Sequence, residues 1–378
     1  MAGIYLHIPY CKQKCTYCNF HFSTNTENVN EMIEAMLHEI ENKKDYLLGE
    51  EIESIYFGGG TPSFIETRHI NSLMKKIFFL FNVKNNAEIT LELNPDDISE
   101  EKIRELKSIG INRLSIGVQS FHDEDLKFMN RSHDGNMARE CIAIAKKCGF
   151  KNITIDLIYG LPNLSNKKWG ENLDIIKQLK INHFSAYALT IEPKTKLNYL
   201  IQTKKIEPIS DEKIETHFKL LQEKSEKIGF VQYEISNFCK DKAIAKHNSS
   251  YWKGKNYIGI GPSAHSYNGI TRQWNIKSNS KYVLKLKSQQ DYCEIEKLSE
   301  NEKYNEYILT SLRTIWGINQ KYLEKNYNKK INLGFTNLIQ KWVKSGDVIE
   351  KNKNFKLSKK GMLLADGIAS DLFMLHDA

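Results

Sequence analysis

Apolar and polar positions alternate with two different periods over the first 235 residues. Short runs rich in Ile, Leu, Val and aromatic residues predict six strands, at 4–8, 52–57, 88–93, 113–118, 152–157 and 183–189. Between them, apolar residues recur every three or four positions, as at Ile33, Met36 and Ile40, which is typical of amphipathic helices. Six βα units in series predict an α/β fold, a partial (β/α)6 TIM-like barrel.

The pattern changes twice in the rest of the chain. Residues 1–235 form the predicted barrel, and residues 236–298 form an irregular extension rich in glycine and aromatic residues. Residues 299–378 predict a smaller, mainly helical C-terminal domain, in which the β-like stretch 347–357 favours a winged-helix-like module. A wing can contact nucleic acid, but a packing or gating role is equally compatible with this pattern.

Composition narrows the class of protein. The chain has 378 residues, 40% of them hydrophobic, which is enough for a substantial core. No secretory signal is visible and no apolar run approaches the roughly 20 residues of a membrane span, so we expect a cytoplasmic protein without a transmembrane segment. The net charge of +8 reflects a lysine-rich composition that favours solubility, and it leaves anionic partners such as phosphate, propionate or nucleic acid open.

Three closely spaced cysteines carry the strongest chemical signal. Cys11, Cys15 and Cys18 follow the first predicted strand at spacings that let one loop surround a polynuclear centre, which predicts an iron–sulfur cluster with one iron left open. His7 and His21 flank the loop, so a zinc site with three cysteines and one histidine is the alternative. The remaining cysteines are scattered and predict core positions without a disulfide framework; they are Cys141, Cys148, Cys239 and Cys293.

Further polar and glycine-rich segments stand where the other predicted strands end. The glycine run 58–60 follows the second strand and allows a close approach of bare backbone to a ligand. Glu92, Gln119, Arg131 and Asp156 stand at or just beyond later strand ends. In a barrel these ends converge on one rim, so the residues together can hold a ligand with ammonium, carboxylate and hydroxyl groups. Arg131 suits the carboxylate because its guanidinium is a planar fork.

Several of these motifs resemble those of a known superfamily. Residues 5–20 resemble the cluster loop of the radical S-adenosylmethionine superfamily, and residues 58–62, Gly-Gly-Gly-Thr-Pro, are similar to its glycine motif. Residues 115–120, Ser-Ile-Gly-Val-Gln-Ser, and 155–162, Ile-Asp-Leu-Ile-Tyr-Gly-Leu-Pro, resemble the oxygen-independent coproporphyrinogen III dehydrogenase family. The resemblance extends over nearly the whole chain.

Two features favour the haem chaperone branch of that family over the dehydrogenases. The dehydrogenase pattern has a further cysteine two residues after the third, where this chain has Phe20. The segment 247–252, His-Asn-Ser-Ser-Tyr-Trp, is similar to a motif associated with haem binding in the chaperones, and Gly-Ile-Gly-Pro-Ser-Ala-His-Ser follows it at 259–266.

The resemblance implies cofactors and the residues that bind them. It implies that Cys11, Cys15 and Cys18 hold a [4Fe–4S] cluster whose open iron chelates the amino and carboxylate groups of S-adenosylmethionine. Positions that match contacts to this molecule are Tyr5, Tyr17, Gly59 and Glu92. Positions that match a second S-adenosylmethionine site in the dehydrogenases are Gly60, Thr61, Gln119, Arg131 and Asp156.

For haem, the resemblance makes His247 the first candidate for an axial ligand, with Tyr251 and Trp252 beside the macrocycle. His265 and Cys239 are further candidates. The alternative is that His247 is a hydrogen-bonded core histidine, which is the usual role of a lone histidine in an aromatic-rich segment.

The implied function is that of a haem chaperone that delivers haem to haem-requiring, membrane-associated respiratory proteins, with nucleic acid not expected as a partner. The enzyme alternative is decarboxylation of the propionates of coproporphyrinogen III by a radical mechanism. A third interpretation combines zinc on the cysteines with nucleic acid on the basic C-terminal domain, and it predicts binding that weakens steeply with salt.

Overall fold

The computed structural model describes residues 1–374. Its strands are β1 (Ala2–Ile8), β2 (Ile52–Gly59), β3 (Val83–Leu93), β4 (Arg113–Gln119), β5 (Asn152–Tyr159), β6 (His183–Ala188), β7 (Val231–Glu234), β8 (Asn237–Cys239), β9 (Tyr257–Ile260), β10 (His265–Tyr267), β11 (Thr271–Asn275), β12 (Cys293–Lys297), β13 (Ile318–Asn319), β14 (Val348–Lys351) and β15 (Asn354–Leu357).

The helices are α1 (Val29–Asn42), α2 (Thr67–Leu80), α3 (Glu100–Ser108), α4 (Asp123–Phe128), α5 (Gly135–Lys147), α6 (Asn166–Gln178), α7 (Lys196–Gln202), α8 (Asp211–Lys227), α9 (Lys246–Trp252), α10 (Asn279–Lys287), α11 (Glu300–Leu312), α12 (Gln320–Asn326), α13 (Lys329–Lys344) and α14 (Ala365–Asp371). Short 3₁₀ helices lie at Pro62–Phe64, Pro95–Asp97 and Gly361–Leu364.

The six predicted strands form the parallel part of one large sheet. Strands β1 to β6 are neighbours in chain order, and each pairs in parallel with the next. Alternate residues such as Ile4 and Leu6 are buried in one core with Met36 and Ile40 of α1. This confirms the α/β class and the (β/α)6 arrangement, because helices cover one face of strands whose side chains alternate between faces.

Additional strands extend both edges of this parallel sheet. β9 pairs in parallel with β1, placing Ile4 opposite Ile258, and β10, β11 and β12 continue the sheet in antiparallel order. At the other edge, β8 pairs antiparallel with β6, and β7 with β8. Residues 236–298, for which the sequence predicts irregular structure, therefore contain strands of three to five residues. Strands this short carry too few alternations for a periodic signal.

A buried polar network fastens the extension to α1. The Glu39 carboxylate forms an ion pair with Lys43, with 2.8 Å between Oε1 and Nζ, and accepts hydrogen bonds from Asn275 Nδ2 at 2.7 Å and the Gly261 amide at 2.8 Å. Glu39 also accepts from the hydroxyl of Tyr282. Because every partner comes from α1 or residues 261–282, the network fixes the position of the extension beside β1.

The C-terminal residues form a second core beside the barrel. Helices α11 to α14 and the small sheet β13-β15-β14 bury a cluster that includes Ile308, Phe335, Ile339 and Phe355. Strands β14 and β15 form an antiparallel hairpin within the predicted stretch 347–357. The arrangement is a mainly helical domain with a wing-like hairpin. None of the helices in residues 1–374 has the length and apolar composition to cross a membrane.

The inner face of the parallel sheet is polar, in contrast to its helix-facing side. Tyr56 of β2 donates a hydrogen bond to Glu92 of β3 at 2.7 Å, and Ser115 of β4 donates to Asp156 of β5 at 3.3 Å. Buried polar groups are stable when they are paired in this way. The barrel interior therefore provides polar side chains at several levels, from the amino ends of the strands to the rim.

Candidate functional site

A cavity of about 920 Å³ opens at the carboxyl ends of the parallel strands. Its volume lies in the upper part of the range of small-molecule and cofactor sites. All residues predicted to bind the cluster or S-adenosylmethionine line this cavity, with the exception of Tyr5; they are Cys11, Cys15, Tyr17, Cys18, Gly59, Gly60, Thr61, Glu92, Gln119, Arg131 and Asp156. The structure thus brings together residues that are up to 145 positions apart in the chain, from Cys11 to Asp156.

The three cysteines of the loop after β1 are half-buried thiols at the inner end of this cavity. Cys11 Sγ lies 3.5 Å from the hydroxyl of Thr61, and Cys15 Sγ lies 3.3 Å from Nη1 of Arg131. Burial raises the pKa of the Cys11 thiol to about 12, and it also raises the pKa of Cys18. Bound metal stabilises thiolates that would otherwise stay protonated, so this donor set suits a positively charged metal centre.

His7 supports the loop but is not free to bind a metal ion. Its Nε2 donates to the His21 carbonyl at 2.8 Å, so Nδ1 is the acceptor for the Tyr5 hydroxyl at 3.2 Å. His21 in turn has its Nε2 2.7 Å from Oδ1 of Asn279. Within residues 1–374, no three His, Cys, Asp or Glu side chains converge on one metal ion. Because both ring nitrogens of His7 are engaged, His7 does not supply the fourth ligand of the zinc alternative, whereas a cluster in which each thiolate binds a different iron needs no fourth protein ligand.

The glycine run packs directly against the start of the cysteine loop. The Gly60 amide donates to the Ile8 carbonyl at 2.9 Å, and a Cβ atom on Gly60 would lie 2.5 Å from the Tyr10 carbonyl oxygen. Gly59 has a φ of +108°, and its Cβ would lie 2.6 Å from the His7 ring. Only glycine fits both positions, so the run holds the loop close and leaves bare backbone facing the cavity.

Glu92 is a half-buried carboxyl whose pKa is raised towards neutrality. Burial raises its pKa to about 7, the hydrogen bond from Tyr56 opposes this rise, and the nearby Asp156 carboxyl adds to it. Burial also raises the pKa of Asp156. A cationic ligand group in the cavity would shift Glu92 towards its charged form, because an opposite charge nearby favours ionisation.

Arg131 provides a fixed guanidinium with one unused donor. Its Nη2 donates to Asn94 Oδ1 at 2.6 Å and to the Gly117 carbonyl at 2.8 Å, while its buried Nε has no partner among the described residues. Gln119 nearby has a φ of +65°, a strained conformation for a residue with a side chain. An unpaired buried donor and a strained neighbour are features expected where a ligand completes the site.

The outer part of the cavity differs from this polar inner end. Nine residues that line this outer part are called the outer wall. They come from β6 and the residue after it, α8, the β7–β8 turn, the end of α11 and the last helices: Tyr187, Leu189, Ile214, Phe218, Ile235, Arg313, Met362, Leu363 and Asp366. Most are apolar or aromatic. They belong to no motif, and several come from the C-terminal domain, so the sequence offered no signal for them.

His247 lies at the opposite end of the barrel, outside this cavity. It is 2% exposed, its Nδ1 is 2.9 Å from the Ser54 hydroxyl, and its Nε2 is 2.8 Å from the Tyr251 hydroxyl. Its backbone amide donates to Glu88 at 3.0 Å. Burial lowers its pKa to about 3, assisted by the charge of Arg113. With both ring nitrogens engaged, His247 has the environment of a core histidine, and axial ligation would require α9 to leave the barrel.

The other predicted residues also lie away from the cavity. Tyr5 packs against both Tyr56 and His247, with ring centroids 6.1 and 6.4 Å away, and it does not line the cavity. Cys239 is buried in β8, and His265 is exposed on β10 with its ring 6.3 Å from that of Trp274. Neither alternative haem ligand therefore lines the cavity.

Comparisons with known proteins agree with this geometry. Residues 5–176 match the model of the radical SAM superfamily. The heme chaperone HemW of Bacillus subtilis is 30% identical over 371 residues, covering 97% of this chain and 98% of the relative. HemW of Buchnera aphidicola subsp. Schizaphis graminum is 33% identical over 376 residues, covering 93% and 96%. The solved coproporphyrinogen III oxidase HemN of Escherichia coli matches with a TM-score of 0.85 at 22% identity, covering 99% of this chain and 90% of that chain.

The fold and the strand-end site define a member of the radical SAM superfamily. Within it, the chain belongs to the HemW family.

Proposed function

We propose that this protein is a cytoplasmic haem chaperone that carries a [4Fe–4S] cluster and S-adenosylmethionine and transfers haem to haem-requiring respiratory proteins. The observation that carries the proposal is one cavity whose inner end is polar and cysteine-lined and whose outer wall is mostly apolar. One space can then accommodate a polar cofactor and a large apolar macrocycle side by side. The HemW relatives of Bacillus subtilis and Buchnera aphidicola, which are named as heme chaperones, support the same function.

The cluster would be held by Cys11, Cys15 and Cys18. When bound, it supplies an electron for reductive cleavage of S-adenosylmethionine. The protein's own contribution is positional: Thr61 and Arg131 approach the first two sulfur atoms, and the hydrogen bond from His7 to the His21 carbonyl fixes the end of the loop. The hydrogen bond from Thr61 opposes the rise that burial causes in the pKa of Cys11.

S-adenosylmethionine would lie between the glycine run and the strand ends. The bare backbone of Gly59 and Gly60 allows close approach, and the free Nε of Arg131 suits a carboxylate. Glu92 provides the negative charge for the amino group. Its pKa of about 7 means that ligand binding and ionisation of this carboxyl support each other.

Haem would occupy the outer wall, where aromatic and aliphatic side chains face the cavity. The position of His247 supports a different contribution from the one its sequence motif suggests, because the residue is enclosed at the far end of the barrel. Ligation of haem iron by His247 stays a prediction that requires α9 to move first.

The enzyme alternative shares this cavity and is separated from the chaperone by one assay. Phe20, which stands in place of the dehydrogenases' further cysteine, is 69% exposed at the cavity mouth and favours the chaperone. The test is an anaerobic haem titration of the cluster-reconstituted protein, followed by absorbance, with coproporphyrinogen III turnover assayed on the same sample.

We expect stoichiometric haem uptake, no protoporphyrinogen, and transfer of haem to an added apo-form of a respiratory haem protein. Turnover to protoporphyrinogen without stable haem uptake would reject the chaperone function in favour of the dehydrogenase.

A further inference from the structure

One cation, Arg313, stands in the mostly apolar outer wall. Arg313, at the end of α11, lines the cavity with a side chain that is 22% exposed. The other cationic side chains that line the cavity, Lys12 and Arg131, lie at the inner end beside the cysteine loop. A guanidinium at the edge of an apolar surface is well suited to a ligand that is apolar in its body and anionic at its periphery.

Arg313 is held by one permanent partner and one replaceable partner. Its Nε donates to Glu234 Oε1 at 3.2 Å, and the Glu234 side chain is only 1% exposed. The second oxygen of Glu234 is occupied by the Ser236 amide at 3.0 Å and by Asn237 Nδ2 at 2.6 Å. Nη1 of Arg313 instead bonds Asp366 at 2.9 Å, and the Asp366 side chain is 79% exposed. An exposed ion pair contributes little, so a ligand carboxylate can replace Asp366.

The conspicuous segment 247–252 contacts Arg313 through its last residue. The guanidinium carbon lies 5.4 Å from the centroid of the Trp252 ring, within the range of a cation–π contact. At the other end of α9, His247 is fixed to Ser54 and through Tyr251 to the same helix. The helix therefore connects the closed end of the barrel to the one cation of the outer wall.

We propose that Arg313 binds a propionate carboxylate of haem in the outer wall, and that Trp252 is a positioning residue that orients its guanidinium. The inference rests on the proposed haem-binding function. It gives segment 247–252 a role in haem binding that acts through Arg313 and needs no iron ligation by His247. In the free protein Asp366 pairs with Nη1 of Arg313, and the haem propionate displaces Asp366 from this position.

The test compares haem with haem dimethyl ester, in which both propionates are neutral, on the full-length, cluster-reconstituted protein. We expect Arg313→Gln to weaken haem binding about 10- to 100-fold and to change ester binding less than about threefold. Asp366→Asn should tighten haem binding about two- to fivefold without affecting the ester, because it removes the competing carboxylate. Arg272→Gln, which removes another arginine with a carboxylate partner outside the cavity, should change neither.

Trp252 is tested in the same assay. Trp252→Leu should weaken haem binding about three- to tenfold and leave ester binding unchanged, while Trp252→Phe should retain wild-type affinity because its ring preserves the cation–π face. The indole nitrogen of Trp252 is buried without a partner among the described residues, so its loss removes no hydrogen bond.

The haem and ester affinities of wild type and of Arg313→Gln distinguish failure of the proposed haem-binding function from failure of the role of Arg313. Wild-type protein that binds neither haem nor its ester would reject the proposed function and the inference together. Wild-type protein that binds haem, combined with Arg313→Gln that leaves haem affinity unchanged or lowers haem and ester affinity equally, would reject the role of Arg313 alone.

Discussion

The two ends of the barrel interior use similar polar residues for different purposes. At the closed end, both ring nitrogens of His247 and of His183 have partners, with distances between 2.6 and 2.9 Å to Ser54, Tyr251, Thr154 and Tyr233. At the other end of the barrel, where the strands have their carboxyl ends, Arg131 keeps an unpaired Nε and the cysteine thiols are half-buried. The ring nitrogens of His247 and His183 are thus used by the fold, whereas the Nε of Arg131 remains available to a ligand in the cavity.

The contrast shows why a sequence motif alone is an incomplete guide to a ligand site. The motif 247–252 contains three side chains suited to metal or aromatic contacts, His247, Tyr251 and Trp252, but α9 encloses His247 in the barrel and places Trp252 against Arg313 of the outer wall.

Cys15→Ser should abolish formation of a stable cluster at the carboxyl ends of the barrel strands. A [4Fe–4S] cluster held by three thiolates has no spare protein ligand to lose. The measurement is iron content and visible absorbance after anaerobic reconstitution. Cys293→Ser removes a half-buried thiol of β12 and is the matched control, expected to bind iron normally. Full iron content in the Cys15 variant would show that the loop is not the cluster site.

Arg131→Gln should weaken S-adenosylmethionine binding about 10- to 100-fold, because a charge-assisted hydrogen bond to the ligand carboxylate is lost. Anaerobic calorimetry on reconstituted protein gives the affinity, and iron content confirms that the cluster is retained. Arg139→Gln is the control, since Arg139 lies over the Phe121 ring, outside the cavity. Equal affinities for wild type and the Arg131 variant would contradict the assignment.

His247→Leu should lower the free energy of unfolding by about 1–3 kcal/mol, because it leaves the buried hydroxyls of Ser54 and Tyr251 without their partner. Denaturant unfolding measures the change. His265→Leu alters an exposed histidine and should stay within about 0.5 kcal/mol of wild type. An unchanged unfolding free energy combined with lost haem binding would instead identify His247 as a direct haem ligand.

The same variant should have a shallower dependence of stability on pH. The pKa of His247 is lowered from 6.5 to about 3 by burial, so between these values the unfolded chain binds a proton that the folded protein does not. The contribution of neutral His247 to the free energy of unfolding is complete above about pH 6.5. It is lost as the pH falls, with a slope of at most about 1.4 kcal/mol per pH unit. Between pH 6 and 4.5, wild type should lose stability faster than His247→Leu by about 1 kcal/mol per pH unit. Parallel curves would show that His247 is not buried in its neutral form.

The sequence was a good guide where spacing and chemistry are local. Six strand predictions overlap β1 to β6, and residues predicted at or just beyond strand ends, such as Cys11, Glu92 and Asp156, line one cavity because parallel strands end at one rim. It was a poor guide to β9 and the outer wall. β9 has four residues, and Arg313 reaches the cavity only through the packing of the C-terminal domain, which leaves no periodic trace in the chain.

The structure predicts that ligands bind in the cavity at the carboxyl ends of the barrel strands, while α9 stays in place at the opposite end. Hydrogen–deuterium exchange of the reconstituted protein, with and without haem, tests it most directly because it reports local opening segment by segment. The account predicts slower exchange in residues 361–367 of the outer wall on haem binding and unchanged, slow exchange in residues 246–252. Faster exchange in residues 246–252 with haem bound would show that α9 leaves the barrel to bind the ligand, and it would contradict the claim.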